Sequence, residues 1–216
     1  MNRMRFLVGL LSFVSAGSLL PAVAIAGDVA ASAVEIRPLL VGSQVPEAQV
    51  RTVDGAAVGL RETIGDRPAV LVFYRGGWCP FCTRDLQELR HTVEPLRQLG
   101  VQLIAISGDS SERLRSTMDD TEVPFTLLAD FELEASKAFG LAFHVSDEYV
   151  QMLAEYKKDT RGNSVSSEQV LPVPAVFVVS SDKTITFSYV NPNYKVRCDK
   201  DVLLAAAAAV TRKPGS

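Results

Sequence analysis

Six consecutive apolar residues, Ala69–Tyr74 (AVLVFY), constrain this chain more than any other stretch of its sequence. A strand with no polar alternation must be covered on both faces, as in a sheet flanked by helices on each side. Two further runs, Val101–Ser107 (VQLIAIS) and Ala175–Val179 (AVFVV), repeat the pattern. Between and after them the apolar period changes to that of helices. Leu86, Leu89, Val93 and Leu96 share one helix face, with a kink expected at Pro95. Asp109 followed by Glu112 reads as the start of a second helix. Phe125–Ala129 reads as a short strand, Leu133–Phe139 as a helix closed by Gly140, and Val145–Lys158 as a further amphipathic helix. Arg161–Ser167 reads as a polar loop, and Thr184–Val190 as a strand paired back through Ser181-Asp182 onto Ala175–Val179. A last helix spans about Asp199 to Val210; upstream lie a weak hairpin at Asp54-Gly55 and a helical turn at Leu60–Thr63. The expectation is one α/β domain with a central mixed sheet, parallel in its middle, and helices on both faces.

Composition narrows the function classes. With 47% apolar and 22% charged residues the chain is globular rather than disordered. Its net charge of −3, without a basic patch, argues against nucleic acid as a partner. Residues 1–26 read as a cleavable signal peptide: Arg3 and Arg5 precede the apolar Phe6–Leu20, and Ala24-Ile25-Ala26 supplies small residues for cleavage. An uncleaved anchor is the alternative reading of that stretch. Residues 27–40 read as a leader and 41–212 as the domain, in a periplasmic or secreted protein with no stable membrane association after cleavage.

Export sharpens the reading of the cysteines. Three cysteines are too few for a disulfide framework, and the pair Cys79 and Cys82 closes too short a loop to stabilise much. Arg75-Gly76-Gly77 breaks the first strand, and Trp78-Cys79-Pro80-Phe81-Cys82 then enters a helix. Free backbone N–H groups and the helix dipole there favour a thiolate. A second thiol within one turn can close a disulfide once the first has reacted. Cys79 and Cys82 are therefore the candidate catalytic residues of a redox centre. A structural disulfide and a metal site are the alternatives; a metal lacks a second paired motif, with only Cys198, His91 and His144 as further soft ligands. No cofactor is expected.

At this motif the chain resembles thioredoxin, with Val173-Pro174-Ala175 similar to the loop that carries its cis-proline. Over roughly Val41 to Leu204 it resembles the peroxiredoxin-like proteins of the alkyl hydroperoxide reductase/thiol-specific antioxidant family. The marks are Gly42-x-x-x-Pro46, Phe73 through Cys82, Lys137-Ala138-Phe139-Gly140-Leu141, Leu171-Pro172-x-Pro174-Ala175 and Val190-Asn191-Pro192-Asn193-Tyr194-x-x-Arg197. The resemblance implies a thioredoxin-like fold and a thiol-dependent peroxidase acting on hydrogen peroxide or organic hydroperoxides. It implies a Cys79–Cys82 disulfide, regenerated by an external dithiol protein such as thioredoxin. Counting from Tyr74, the peroxiredoxin register makes Cys82 the sulfur that attacks peroxide; the thioredoxin register and helix geometry favour Cys79. The family usually carries an arginine before the strand matching Val176–Val179, where this chain has Pro174. Arg75 and Arg197 are the candidate replacements, with Trp78 and Pro174 as further supporting residues. A thioredoxin-like reductase of protein disulfides is the alternative activity, and a non-catalytic domain with a structural disulfide is the third. Cys198 reads as a lone thiol at a helix start; pairing between chains, and with it a homodimer, is the other possibility.

Overall fold

The computed structural model describes residues 27–156 and 158–212; the proposed signal peptide lies outside them. A seven-stranded sheet has the order β2-β1-β5-β4-β3-β8-β9. The strands are β1 Gln49–Arg51, β2 Ala57–Gly59, β3 Ala69–Tyr74, β4 Gln102–Ser107, β5 Thr126–Ala129, β8 Ala175–Val179 and β9 Ile185–Val190. β3, β4 and β5 run parallel, and the outer strands are antiparallel. The sheet is mixed and helix-covered, as expected, and the unbroken apolar run AVLVFY is its central β3, every residue of it buried.

Alternation along β3 divides the core. Ala69, Leu71 and Phe73 face one layer, where Phe73, Phe139 and Phe177 meet with ring centroids 4.8–6.0 Å apart in tilted and edge-on contacts. Val70, Val72 and Tyr74 face the other layer, together with Cys79 and Cys82. The dithiol therefore belongs to a packed core.

The helices are α1 Leu60–Ile64, α2 Pro80–Leu89, α3 Val93–Gln98, α4 Ser111–Thr121, α5 Glu134–Ala138, α6 Asp147–Glu155, α7 Ser164–Ser167 and α8 Lys200–Val210. The expected kink falls upstream of Pro95, as a 3-10 turn at Arg90–Thr92. A proline conflicts with the carbonyl four residues before it, here His91, so the helix breaks there. Asp109 is not the cap of α4. Ser110 is, accepting from the Arg113 N–H, while Asp109 turns inward. α6 begins at Asp147, because Ser146 takes the Tyr149 N–H and stops the helix reaching back to Val145.

The expected polar loop is not found. The polar stretch Arg161–Ser167 holds the short helix α7, and Asn163 and Ser164 are fully buried there. Their side chains bond backbone: the Ser164 hydroxyl donates to the Val170 carbonyl at 2.8 Å, and Asn163 accepts the Val165 N–H at 3.1 Å. A separate two-stranded sheet, β6 Ala142–His144 with β7 Val170–Pro172, was not foreseen, because three residues are too few to display a period. Every described peptide bond is trans, the one before Pro174 included, so the cis-proline of the thioredoxin resemblance is absent. Residues 27–40 contain no helix and a single isolated bridge, Ala30 to Phe143. They are nonetheless pinned by Ala30 N–H to the Ala142 carbonyl (2.9 Å), His144 N–H to the Ala30 carbonyl (2.9 Å) and Leu39 N–H to the Phe139 carbonyl (3.1 Å).

Candidate active site

Cys79 is the N-cap of α2, with an extended backbone (φ −90°, ψ 113°). Pro80 follows at the first helical position, where its fixed φ suits the helix and its missing N–H would have had no partner. The Cys79 carbonyl then accepts the N–H groups of Cys82 (2.9 Å) and Thr83 (3.0 Å), which brings Cys82 back over the first turn. The Gly-Gly pair before the dithiol has a steric cause. Gly76 has φ +145°, and a Cβ there would lie 2.6 Å from Asn163 Nδ2 and 2.6 Å from Trp78 Nε1. A Cβ on Gly77 would lie 1.9 Å from Thr117 Oγ1 of α4. Only glycine lets the loop pass between its neighbours.

The two thiols are free and 1% exposed, and they differ electrostatically. The Cys79 thiol is lowered to about 6. The principal cause is a hydrogen bond from the Cys82 thiol; Arg75, the Cys82 backbone N–H and Arg197 add to it, against burial. Cys82 is pushed well above the ordinary thiol value, by burial first and then by donating to Cys79 and facing its charge. The surroundings thus favour negative charge on Cys79 over Cys82.

Two guanidinium groups serve this pair. Arg197 Nη2 donates to Cys82 Sγ at 3.2 Å. Asp85 holds Arg197 from behind, Oδ2 to Nε 3.8 Å, and also pairs with Lys200. Arg75 is 2% exposed, and its guanidinium lies between three rings, 4.0 Å from the Tyr194 centroid, 4.9 Å from Trp78 and 5.2 Å from Tyr149. Its Nε and Nη2 have no hydrogen-bond partner. Among the described residues the guanidinium is thus held by ring contacts rather than by hydrogen bonds at these two nitrogens. Pro174 precedes β8, where the arginine of the resemblance would stand, and Arg75 and Arg197 bring positive charge from two other places.

Three contributors escaped the sequence reading. Tyr149 comes from α6. Asp109 and Asn163 form a buried polar pair behind the loop: Asp109 accepts from the Gly77 N–H (2.9 Å), the Ser107 hydroxyl (3.0 Å) and Asn163 Nδ2 (2.7 Å). Asn163 Nδ2 also donates to the Arg75 carbonyl at 3.0 Å. Burial raises the Asp109 carboxyl, and these hydrogen bonds oppose the shift. His91 is exposed in the 3-10 turn, while His144, also exposed, lies on the wall of the neighbouring cavity. Cys198 is buried, its Sγ 3.5 Å from the Asp199 carbonyl.

That cavity, about 320 Å³ and mostly apolar, opens beside Arg75. Tyr149, Tyr194 and Pro174 line it together with Ala31–Ala33 of the leader. Its size lies at the lower end of the range for small-molecule pockets. The two sulfurs do not line it.

Comparison with known proteins agrees with this architecture. Residues 41–188 match the family model described as the AhpC/TSA family. Peroxiredoxin Q, chloroplastic, of Oryza sativa subsp. japonica is 34% identical over 100 residues, covering 46% of this chain and 46% of that protein. Peroxiredoxin Bcp of Escherichia coli (strain K12) is 30% identical over 106 residues, 49% of this chain and 67% of that protein. The chain thus spans about half the length of the first of these relatives. Among solved structures, peroxidoxin BcpB of Mycobacterium tuberculosis superposes with a TM-score of 0.60 at 18% identity, over 79% of this chain and 97% of that one. A peroxiredoxin-like protein from Aquifex aeolicus gives 0.63 at 16% identity, over 81% and 89%. At such identities the likeness is one of fold.

Proposed function

The chain belongs to the AhpC/TSA family, and from that premise we propose that it is a thiol-dependent peroxidase whose attacking sulfur is Cys79. The carrying observation is positional: Cys79 is the N-cap of α2, where its thiol is lowered, while Cys82 lies enclosed in the first turn, where burial raises its thiol. The Cys79 thiolate attacks the terminal peroxide oxygen. The O–O bond breaks, the departing alkoxide or hydroxide takes a proton and leaves as alcohol or water, and Cys79 becomes a sulfenic acid. Cys82 then gives up its proton and attacks the sulfenic sulfur; hydroxide departs, gains that proton and leaves as water, and a Cys79–Cys82 disulfide remains. An external dithiol protein returns two electrons and two protons by thiol–disulfide exchange. Arg75 and Arg197 stabilise the thiolate and the oxygen that gains charge as O–O breaks. The apolar cavity beside Arg75 has room for the body of an organic hydroperoxide as well as for hydrogen peroxide.

A periplasmic or secreted location rests on residues 1–26 alone.

Peroxide loss measured with a dithiol reductant, for wild type and for Cys79→Ser and Cys82→Ser, tests the reading. Cys79→Ser should lose at least about 100-fold in rate, the scale of removing a covalent nucleophile. Cys82→Ser should still form a sulfenic acid at Cys79, trapped by a dimedone-type probe and located by mass. A label on Cys82 in Cys79→Ser, with turnover intact, reverses the assignment. No peroxide loss in wild type ends it.

A further inference from the structure

The loop that presents the dithiol is gripped from behind at two main-chain points. Asn163 Nδ2 holds the carbonyl of Arg75, and Asp109 holds the N–H of Gly77. The two gripping side chains are bonded to each other at 2.7 Å, and both residues are fully buried. Backbone bonds tie their segments together as well: Ser110 N–H to the Gly162 carbonyl at 2.6 Å and Ser164 N–H to the Gly108 carbonyl at 2.8 Å. We propose that Asn163 and Asp109 are positioning residues for the reaction, fixing where the Arg75 guanidinium stands relative to the Cys79 sulfur.

Arg75 and Cys79 hang from the two ends of Arg75-Gly76-Gly77-Trp78, and two of those four residues are glycines. Glycine has the greatest backbone freedom to lose, so this stretch is soft unless it is tied down. The Arg75 side chain does not tie it: Nε and Nη2 bond nothing, and ring contacts are weakly directional. A turn bond, Cys79 N–H to the Gly76 carbonyl at 3.2 Å, closes the loop on itself, and the two hydrogen bonds that anchor its main chain to the segments behind it both come from the Asn163–Asp109 pair. The charged or titratable groups acting on Cys79 are Cys82, Arg75 and Arg197, of which only Arg75 sits on the gripped stretch. Tyr74 and Arg113 interact with Asp109. Loosening the grip therefore weakens one specific partner of the thiolate and leaves Arg197 in place.

This inference rests on Cys79 being the thiolate, and its readout needs no peroxide turnover. In Asn163→Ser the hydroxyl still accepts the Val165 N–H at the start of α7, because serine is a good N-cap. It is too short to reach the Arg75 carbonyl or Asp109. The Cys79 titration, followed by ultraviolet thiolate absorbance and by alkylation at Cys79 located by mass, should move up by about one unit or more from its value near 6, toward the free thiol's roughly 8.5. In an Arg75→Met background the same substitution should add no further shift, because the two act through one contact. A titration unchanged within about 0.3 unit while the unfolding temperature falls would make the pair purely structural. Additive shifts in the double variant would also overturn the proposal. Should serine leave too large a void for folding, Asn163→Thr keeps the cap with more bulk and is judged by the same outcomes.

Discussion

The two sulfurs of a single helical turn are pushed in opposite directions, Cys79 toward the thiolate and Cys82 toward the thiol, by their immediate neighbours. Cys79 accepts from Cys82 and faces Arg75 and Arg197; Cys82 is enclosed, donates to Cys79 and receives Arg197 Nη2 at 3.2 Å. This asymmetry fixes the pH dependence. With the Cys79 thiol at about 6, its alkylation and its reaction with peroxide should rise as pH passes through 6 and level off by about pH 7. Stability of the reduced protein follows with a definite sign. The folded value lies below the unfolded one of about 8.5, so between them the unfolded chain binds a proton that the folded chain has released. The Cys79 contribution is therefore fully present above about 8.5 and is lost as pH falls through 6. Cys82, raised on folding, opposes this only above the ordinary thiol value. Chemical denaturation of wild type and Cys79→Ser at several pH values checks the point: the wild-type advantage should shrink between pH 8 and pH 6. An advantage that grows on acidification would contradict the assigned thiolate.

The elements around the dithiol explain why its loop reads as it does. Gly77 passes under α4 so closely that a methyl group would strike Thr117. Gly77→Ala should cost about 1–3 kcal/mol, the usual range for overpacking, and lower the peroxidase rate by displacing Cys79. Adding Thr117→Ala, which removes the obstructing hydroxyl and methyl, should restore much of both losses; denaturant unfolding and peroxide kinetics on the single and double variants measure it. The Gly-Gly break itself was legible in the sequence, as were β3, β4, β8 and the dithiol helix, because long apolar runs and helical periodicity carry their own signals. What pressed on the glycines was not legible. Asp109 looked like a helix cap because acidic residues favour helix starts, yet Ser110 does that work. Asn163 sat in a stretch whose polarity suggested solvent, yet it is buried because the Arg75 carbonyl and Asp109 satisfy its amide. A buried polar pair 54 positions apart in sequence leaves no periodic trace. Tyr149 likewise reads as one residue of an amphipathic helix until the fold places it on Arg75.

Over the whole molecule, the site is completed by segments on either side of the family-matched span, residues 41–188. Arg197 and Tyr194 come from beyond its end, and Ala31–Ala33 from before its start. The core thus supplies the dithiol, Arg75 and the polar pair behind them, while the flanking segments bring the second guanidinium and part of the cavity wall. The leader is pinned by main-chain bonds at Ala30 and Leu39 and by Val29, Ile36 and Leu39, which pack partly buried against the core. Deleting residues 27–40 strips those main-chain bonds and opens the cavity to solvent on one side, while β3, α2 and both arginines keep their places. The shortened chain should unfold several degrees lower, as expected when main-chain bonds and partly buried apolar side chains worth about 2–4 kcal/mol are lost from a domain of this size. Its effect on catalysis should depend on the substrate. Hydrogen peroxide makes no use of an apolar wall, whereas a bulky organic hydroperoxide loses buried area at about 25 cal/mol per Å². The ratio of kcat/KM for cumene hydroperoxide to that for hydrogen peroxide should therefore fall several-fold on deletion. If both values fall together, the leader supports the fold alone; if neither moves, the wall formed by Ala31–Ala33 has no part in holding substrate.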